Sequence, residues 1–107
     1  MTAKTFRKMA LEIPGAVESE HMDHPDFRVG GKIFATLMYP SEKWGMVKLT
    51  PEAQADFLAK EPKMFRACNG VWGKRGATNV LLAAAKVGVL RVALKIAARS
   101  VAAGKGS

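Results

Sequence analysis

The sequence has one cysteine, one tyrosine and, beyond Glu61, no acidic residue at all. A lone Cys68 excludes an internal disulfide, and an unpaired thiol fits a reducing compartment better than secretion, so a cytoplasmic location is expected. No long hydrophobic run is present. The most apolar stretch, from Val80 onward, is broken by Lys86, Arg91, Lys95 and Arg99, which argues against a membrane span. At the amino terminus Glu12 and Pro14 interrupt the chain before a signal-peptide core can form. Internal repeats, low-complexity tracts and linkers are also missing, so one domain over residues 1–107 is expected. A chain of this length can bury roughly two thirds of its unfolded surface and needs no metal or disulfide staple.

The missing acids make the charge lopsided. Residues 1–53 hold seven Lys/Arg and seven Asp/Glu, whereas residues 63–107 hold nine Lys/Arg and none. The net charge of +8 is therefore concentrated in the last third of the chain. Such polarity favours a polyanionic partner through long-range attraction, be it nucleic acid, acidic lipid or acidic protein.

Patterning predicts a hairpin at the centre of the fold. In FRVGGKIFATL (27–37), two runs rich in Phe, Val and Ile meet at Gly30-Gly31, and a two-residue turn requires the positive φ that glycine adopts freely. That register sets Val29 opposite Lys32, Arg28 opposite Ile33 and Phe27 opposite Phe34. Before it, Phe6, Met9, Ala10 and Ile13 have helical spacing up to Pro14-Gly15, residues 16–20 read as a strand, and HMDHPD (21–26) reads as a loop. After it, YPSEK (39–43) supplies turn chemistry, and residues 44–49 form a strand with Trp44, Met46 and Lys48 on one face.

Thr50-Pro51-Glu52 has the chemistry of a helix start, running to about Lys60. Residues 65–68 and 77–82 suit strands on either side of NGVWGKRG, a glycine-punctuated loop or bulged strand end. From Ala83, the positions Ala83, Val87, Leu90, Leu94, Ala97 and Val101 recur at steps of four and three, predicting the longest helix, ended at Gly104 by a frayed GKGS. The fold class is α+β: a two-layer sandwich with a mostly antiparallel sheet and helices packed on one face. One sheet face is left uncovered. If helices cover the Phe27 face, the other face shows Arg28, Ile33, Ala35 and Leu37; in the opposite case Phe27, Phe34 and Trp44 point outward with Lys32.

Three groups of residues carry candidate chemistry. Arg91, Lys95 and Arg99 stand four apart, forming a basic ridge roughly 120° round from the Leu90/Leu94 stripe, which suits phosphate contacts and equally a solvated helix face. Trp72, Lys74 and Arg75 lie between glycines, where a basic loop with an aromatic can contact a backbone and stack a base, or where Trp72 can plug the core. This is not a phosphate loop, since Arg75 follows Gly73-Lys74 in place of Ser or Thr. The cluster His21, Asp23, His24 and Asp26 has side chains that bind divalent metals, but turn residues of this kind more often cap or meet solvent, so no metal and no cofactor is assigned. Arg66, two residues from Cys68, could lower the thiol's pKa, yet nothing nearby marks an activated nucleophile and no enzymatic activity is expected.

The order Leu11-Glu12-Ile13-Pro14-Gly15, then His24 to Phe34 (HPDFRVGGKIF), then Val47-Lys48-Leu49, then Trp72 to Val80 (WGKRGATNV), resembles the MmcQ/YjbR family over nearly the whole chain. The resemblance implies a small CyaY-like α/β fold and a role in DNA binding that is ascribed to the family by fold analogy; it implies no catalytic motif. Frataxin shares that fold and binds iron on an acidic surface. Lys4, Arg7 and Lys8 in the first helix argue against such a role here.

The expectation is thus a non-enzymatic DNA-binding protein. Lys74, Arg75, Arg91, Lys95 and Arg99 would contact phosphates, with Arg28, Lys32 and Trp72 close to the bound surface. The alternative is a protein-interaction or small-ligand module that uses the uncovered sheet face.

Overall fold

Gly30 and Gly31, at φ 59° and 80°, close the central hairpin between strands β2 (His24–Val29) and β3 (Lys32–Leu37). The structure is a computed structural model, and it describes residues 1–104; the expected fraying at 105–107 lies outside them. Helix α1 (Ala3–Leu11) and β1 (Val17–His21) precede the hairpin; β4 (Trp44–Lys48), α2 (Pro51–Lys60), β5 (Phe65–Ala67), α3 (Gly70–Lys74), β6 (Ala77–Leu81) and α4 (Val87–Ala102) follow it. The six strands form one antiparallel sheet in the order β1-β2-β3-β4-β6-β5. The last strand in sequence therefore lies inside the sheet, and β5 takes the edge.

Both interhelical-layer signals act as local chemistry dictates. The Thr50 hydroxyl accepts from the Ala53 N–H at 3.2 Å and Pro51 opens α2 where no donor is needed. Helix α4 buries Leu90, Ala93, Leu94, Ala97 and Val101 against β2, β3 and β4, and α1 adds Phe6, Met9 and Ala10 beside it. Each fully buried Leu or Val contributes about 1.5–3 kcal/mol, so this stripe supplies much of the attachment between layers. Phe57 of α2 meets Phe65 of β5 with ring centroids 5.1 Å apart, which holds α2 on the same side of the sheet.

Three local expectations are corrected. In the hairpin, Val29 faces Lys32 and Arg28 faces Ile33, but a bulge follows, so Phe27 pairs with Ala35 and Phe34 has no partner opposite. One inserted residue flips every later side chain to the other face. Ala35 and Leu37, expected outside when Phe27 is covered, are instead buried with Phe27 under the helices.

The segment 21–26 is a second tight hairpin rather than a loop. Met22 and Asp23 turn it at φ 50° and 65°, and His21 pairs with His24. Pro25 is tolerated there because the pair next to a bonded turn pair is a non-bonded one, so its missing N–H breaks no bond to β1, and pairing with β3 begins only at Asp26.

The last helix begins at Val87, not Ala83. Leu82–Ala84 form a 3₁₀ turn, and Ala85 and Lys86 are extended, with ψ 131° and 130°. This step carries the chain from the sheet to the helix layer. It is held by Lys86, whose N–H points at Met64 Sδ, 3.5 Å away, and whose Nζ lies 2.9 Å from Glu61.

Candidate functional site

Strand register decides which side chains the uncovered face presents. Gly45 and Val47 of β4 point into the helix layer, Gly45 so tightly that a Cβ there would sit 2.7 Å from Phe6 Cε2. Their neighbours Trp44, Met46 and Lys48 therefore point the other way. Register extends this set to Thr36 on β3, Asp26 and Arg28 on β2, Asn79 and Leu81 on β6, and Arg66 on β5. Among the described residues α1, α2 and α4 share the opposite face, and of the helices only the short α3 reaches this one, at its Lys48 end.

The acids are almost all elsewhere. On β1, Glu18 and Glu20 alternate to the helix side, where Glu18 meets Arg7 of α1 at 3.1 Å. Asp26 is the one carboxylate among the open-face strand residues, and it is fully buried and already neutralised. Arg28 grips it twice, Nε to Oδ1 at 2.8 Å and a terminal nitrogen to Oδ2 at 3.1 Å, while His21 Nδ1 lies 2.7 Å from Oδ2. The hydrogen bonds from Arg28, with His21 assisting, hold the Asp26 pKa below its ordinary value despite the opposing effect of burial. Both oxygens of Asp26 thus serve the β1–β2 hairpin. Among the described residues, no group of three or more His, Cys, Asp or Glu side chains is arranged to hold a metal.

At the other end of the face, cations meet aromatic rings. The Arg66 guanidinium lies over Trp44, 5.3 Å from the ring centroid; Lys48 Nζ lies 5.4 Å and the Arg75 guanidinium 5.9 Å from the centre of Trp72. Among the described residues none of these three cations has a carboxylate partner. Burial pulls the Lys48 pKa down, because an ammonium partly removed from water lacks the anion that would offset its desolvation.

Trp72 is 54% exposed, so it does not plug the core. It stands on α3, a short helix where the sequence suggested a loop. Gly73 lets α3 pack against Cys68, and the Gln54 amide reaches across from α2 to the carbonyl oxygens of Gly73 and Ala77, both at 3.0 Å. Burial pushes the Cys68 thiol up to about 11, and it donates to Asn79 Oδ1 at 3.2 Å; the neighbouring Arg66 does not activate it.

The expected phosphate-contacting residues divide between two surfaces. Trp72, Lys74 and Arg75 cluster at the α3 end of the open face. Arg28 shares that face but is bound to Asp26 near the opposite edge. Arg91, Lys95 and Arg99 are exposed on α4, in the helix layer behind the sheet, and Arg91 approaches Glu12 at 3.9 Å. Lys32, at the hairpin tip, reaches toward the end of α4 near Gly104. The structure does not bring the α4 cations and the α3 cations together, because the sheet lies between them. Lys48, Arg66 and Trp44 were absent from the expected set; the period-two spacing of Trp44 and Lys48 was visible, but the placement of β5 beyond β6 that brings Arg66 to the same face was not.

The YjbR family model matches residues 11–96, from the end of α1 to the middle of α4. The chain belongs to the YjbR family. A crystal structure of the Deinococcus radiodurans protein DR2400, which carries a DUF419 domain, is similar with a TM-score of 0.73 at 18% identity, over 90% of this chain and 75% of that one. At that identity the likeness speaks to the fold alone. No curated protein sequence matches.

Proposed function

We propose that this YjbR-family chain binds DNA without catalysing a reaction, using the open sheet face and its α3 end in place of a surface that includes α4. One observation carries this reading: among the described residues Lys48, Arg66 and Arg75 lack carboxylate partners, as Lys95 and Arg99 of α4 also do, but these three are in addition gathered on aromatic rings. Unpaired cations on a surface with one neutralised acid attract phosphates and release counterions on binding. Exposed Lys74 adds a fourth positive charge at the same end. The high pKa of Cys68 supports the non-catalytic part, since little thiolate exists at neutral pH. The lone thiol favours the cytoplasm. Among the described residues no helix is long and apolar enough to cross a membrane.

Binding to a DNA oligonucleotide across a salt series tests the proposal. Contacts by four cations give a log–log slope of about −2.8 for a single strand and about −3.6 for a duplex. A Kd weaker than ~10⁻⁴ M near physiological salt would sink it. The same face supports a second reading, a protein-interaction or small-ligand module, because Trp44, Met46 and Leu81 form a half-buried apolar strip between the cations. That module would bind its partner with little salt dependence.

A further inference from the structure

We infer that the occupant of the open face is single-stranded DNA, with separate bases stacked on Trp44 and Trp72. This rests on the DNA-binding reading above and narrows it. Trp44 and Lys48 lie at the two ends of β4 on one face, four residues and thus roughly 13 Å apart. Trp72 extends the face beyond Lys48, whose ammonium sits 5.4 Å from its ring.

Two stacking platforms so far apart cannot take neighbouring bases from a helical strand, whose bases rise about 3.4 Å each. Bases inside a duplex also have their faces covered by one another. A strand that touches both rings must therefore have its bases splayed, which a single strand does without breaking pairs.

Each platform carries its own phosphate contact. Arg66 lies over the Trp44 ring, and Lys48 and Arg75 lie over that of Trp72, so a base that takes a cation's place on either ring leaves that uncompensated cation free for the adjoining phosphate. The surface between them is Met46, flanked across the sheet by Thr36 and Asn79.

Trp44 and Trp72 are the only two tryptophans, so fluorescence excited at the red edge of their absorption, where Tyr39 hardly absorbs, reports on the two platforms. Wild-type protein is titrated with an oligo-dT of about 15 nucleotides, with a duplex of equal length and with oligo-rU, all at the same low salt. Oligo-dT should quench the fluorescence and bind more tightly than the duplex. Trp44→Ala and Trp72→Ala should each weaken oligo-dT binding about 5- to 150-fold while leaving the weaker duplex binding unchanged, and Trp72→Phe should retain most of the affinity. Circular dichroism checks that each variant is folded. If DNA binds but the duplex competes equally, or both alanine variants retain full oligo-dT affinity, the single-strand inference is overturned and the broader reading survives. Tighter binding of oligo-rU than of oligo-dT overturns the assignment to DNA. If no nucleic acid binds, both readings fail together.

Discussion

Replacing Gly73 by alanine separates helix propensity from tertiary packing in the element that carries Trp72. In an open helix the change stabilises by up to ~1 kcal/mol, because glycine loses more backbone entropy on folding. At Gly73 an added Cβ would lie 1.7 Å from the Cys68 carbonyl oxygen, where real Cβ contacts essentially never fall below 3.0 Å. The gap must open by more than an ångström, and the obstacle is backbone, which cannot swing aside as a flexible side chain can. Overpacking of this kind costs about 1–3 kcal/mol, and displacing the Gly73 carbonyl from the Gln54 amide adds about 0.5–1.5 kcal/mol. The net expectation is a loss of about 1–3 kcal/mol after the propensity gain, or a fall of roughly 1 M in the urea midpoint. Gly88→Ala is the control, since nothing lies within 4 Å of its added Cβ on α4, and its midpoint should rise. Urea denaturation of both variants is the assay. A rise for Gly73→Ala as large as that for Gly88→Ala would refute the packing argument.

Two further predictions concern titratable groups. The Asp26 carboxyl is held below its ordinary pKa in the folded state, so its stabilisation is present above the unfolded value near 3.9 and is lost as pH falls through the lower folded value. Melting temperatures from pH 6 down to pH 3 should therefore fall more steeply for wild type than for Asp26→Asn, and parallel curves would contradict the assignment. Cys68, with its pKa pushed up to about 11, should react with a thiol reagent at pH 7.5 far more slowly than free cysteine, and a rate equal to the free amino acid would contradict its burial.

What the sequence made legible was chemistry confined to a few neighbouring residues. Gly30-Gly31 announced a turn because few other residues adopt positive φ twice in succession, and Thr50-Pro51 announced a helix start because the cap and the missing donor are local facts. The α4 stripe was also plain from Leu90 on, as apolar period alone marks a buried helix face. Features decided by distant partners were not legible. The bulge at Phe34 leaves no residue signature, and the turn at Met22-Asp23 uses a methionine at positive φ that no propensity favours. No cap residue precedes Val87, so the break at Ala85-Lys86 was hidden inside a continuous apolar pattern. The candidate site divides along the same line. Trp72, Lys74 and Arg75 were conspicuous as neighbours in sequence, while Arg66 and Trp44 meet only because β6 enters the sheet between their strands.

The same topology makes the central claim testable by moving charge from one layer and not the other. Oligo-dT affinity and its salt slope should be measured for Lys48→Ala/Arg66→Ala/Arg75→Ala and for Arg91→Ala/Lys95→Ala/Arg99→Ala, each against wild type. Loss of three phosphate contacts should reduce the slope by about 2.1 in the open-face variant, while the α4 variant keeps a slope close to that of wild type. An open-face variant that binds as well as wild type, with the loss falling on the α4 variant, would contradict the account.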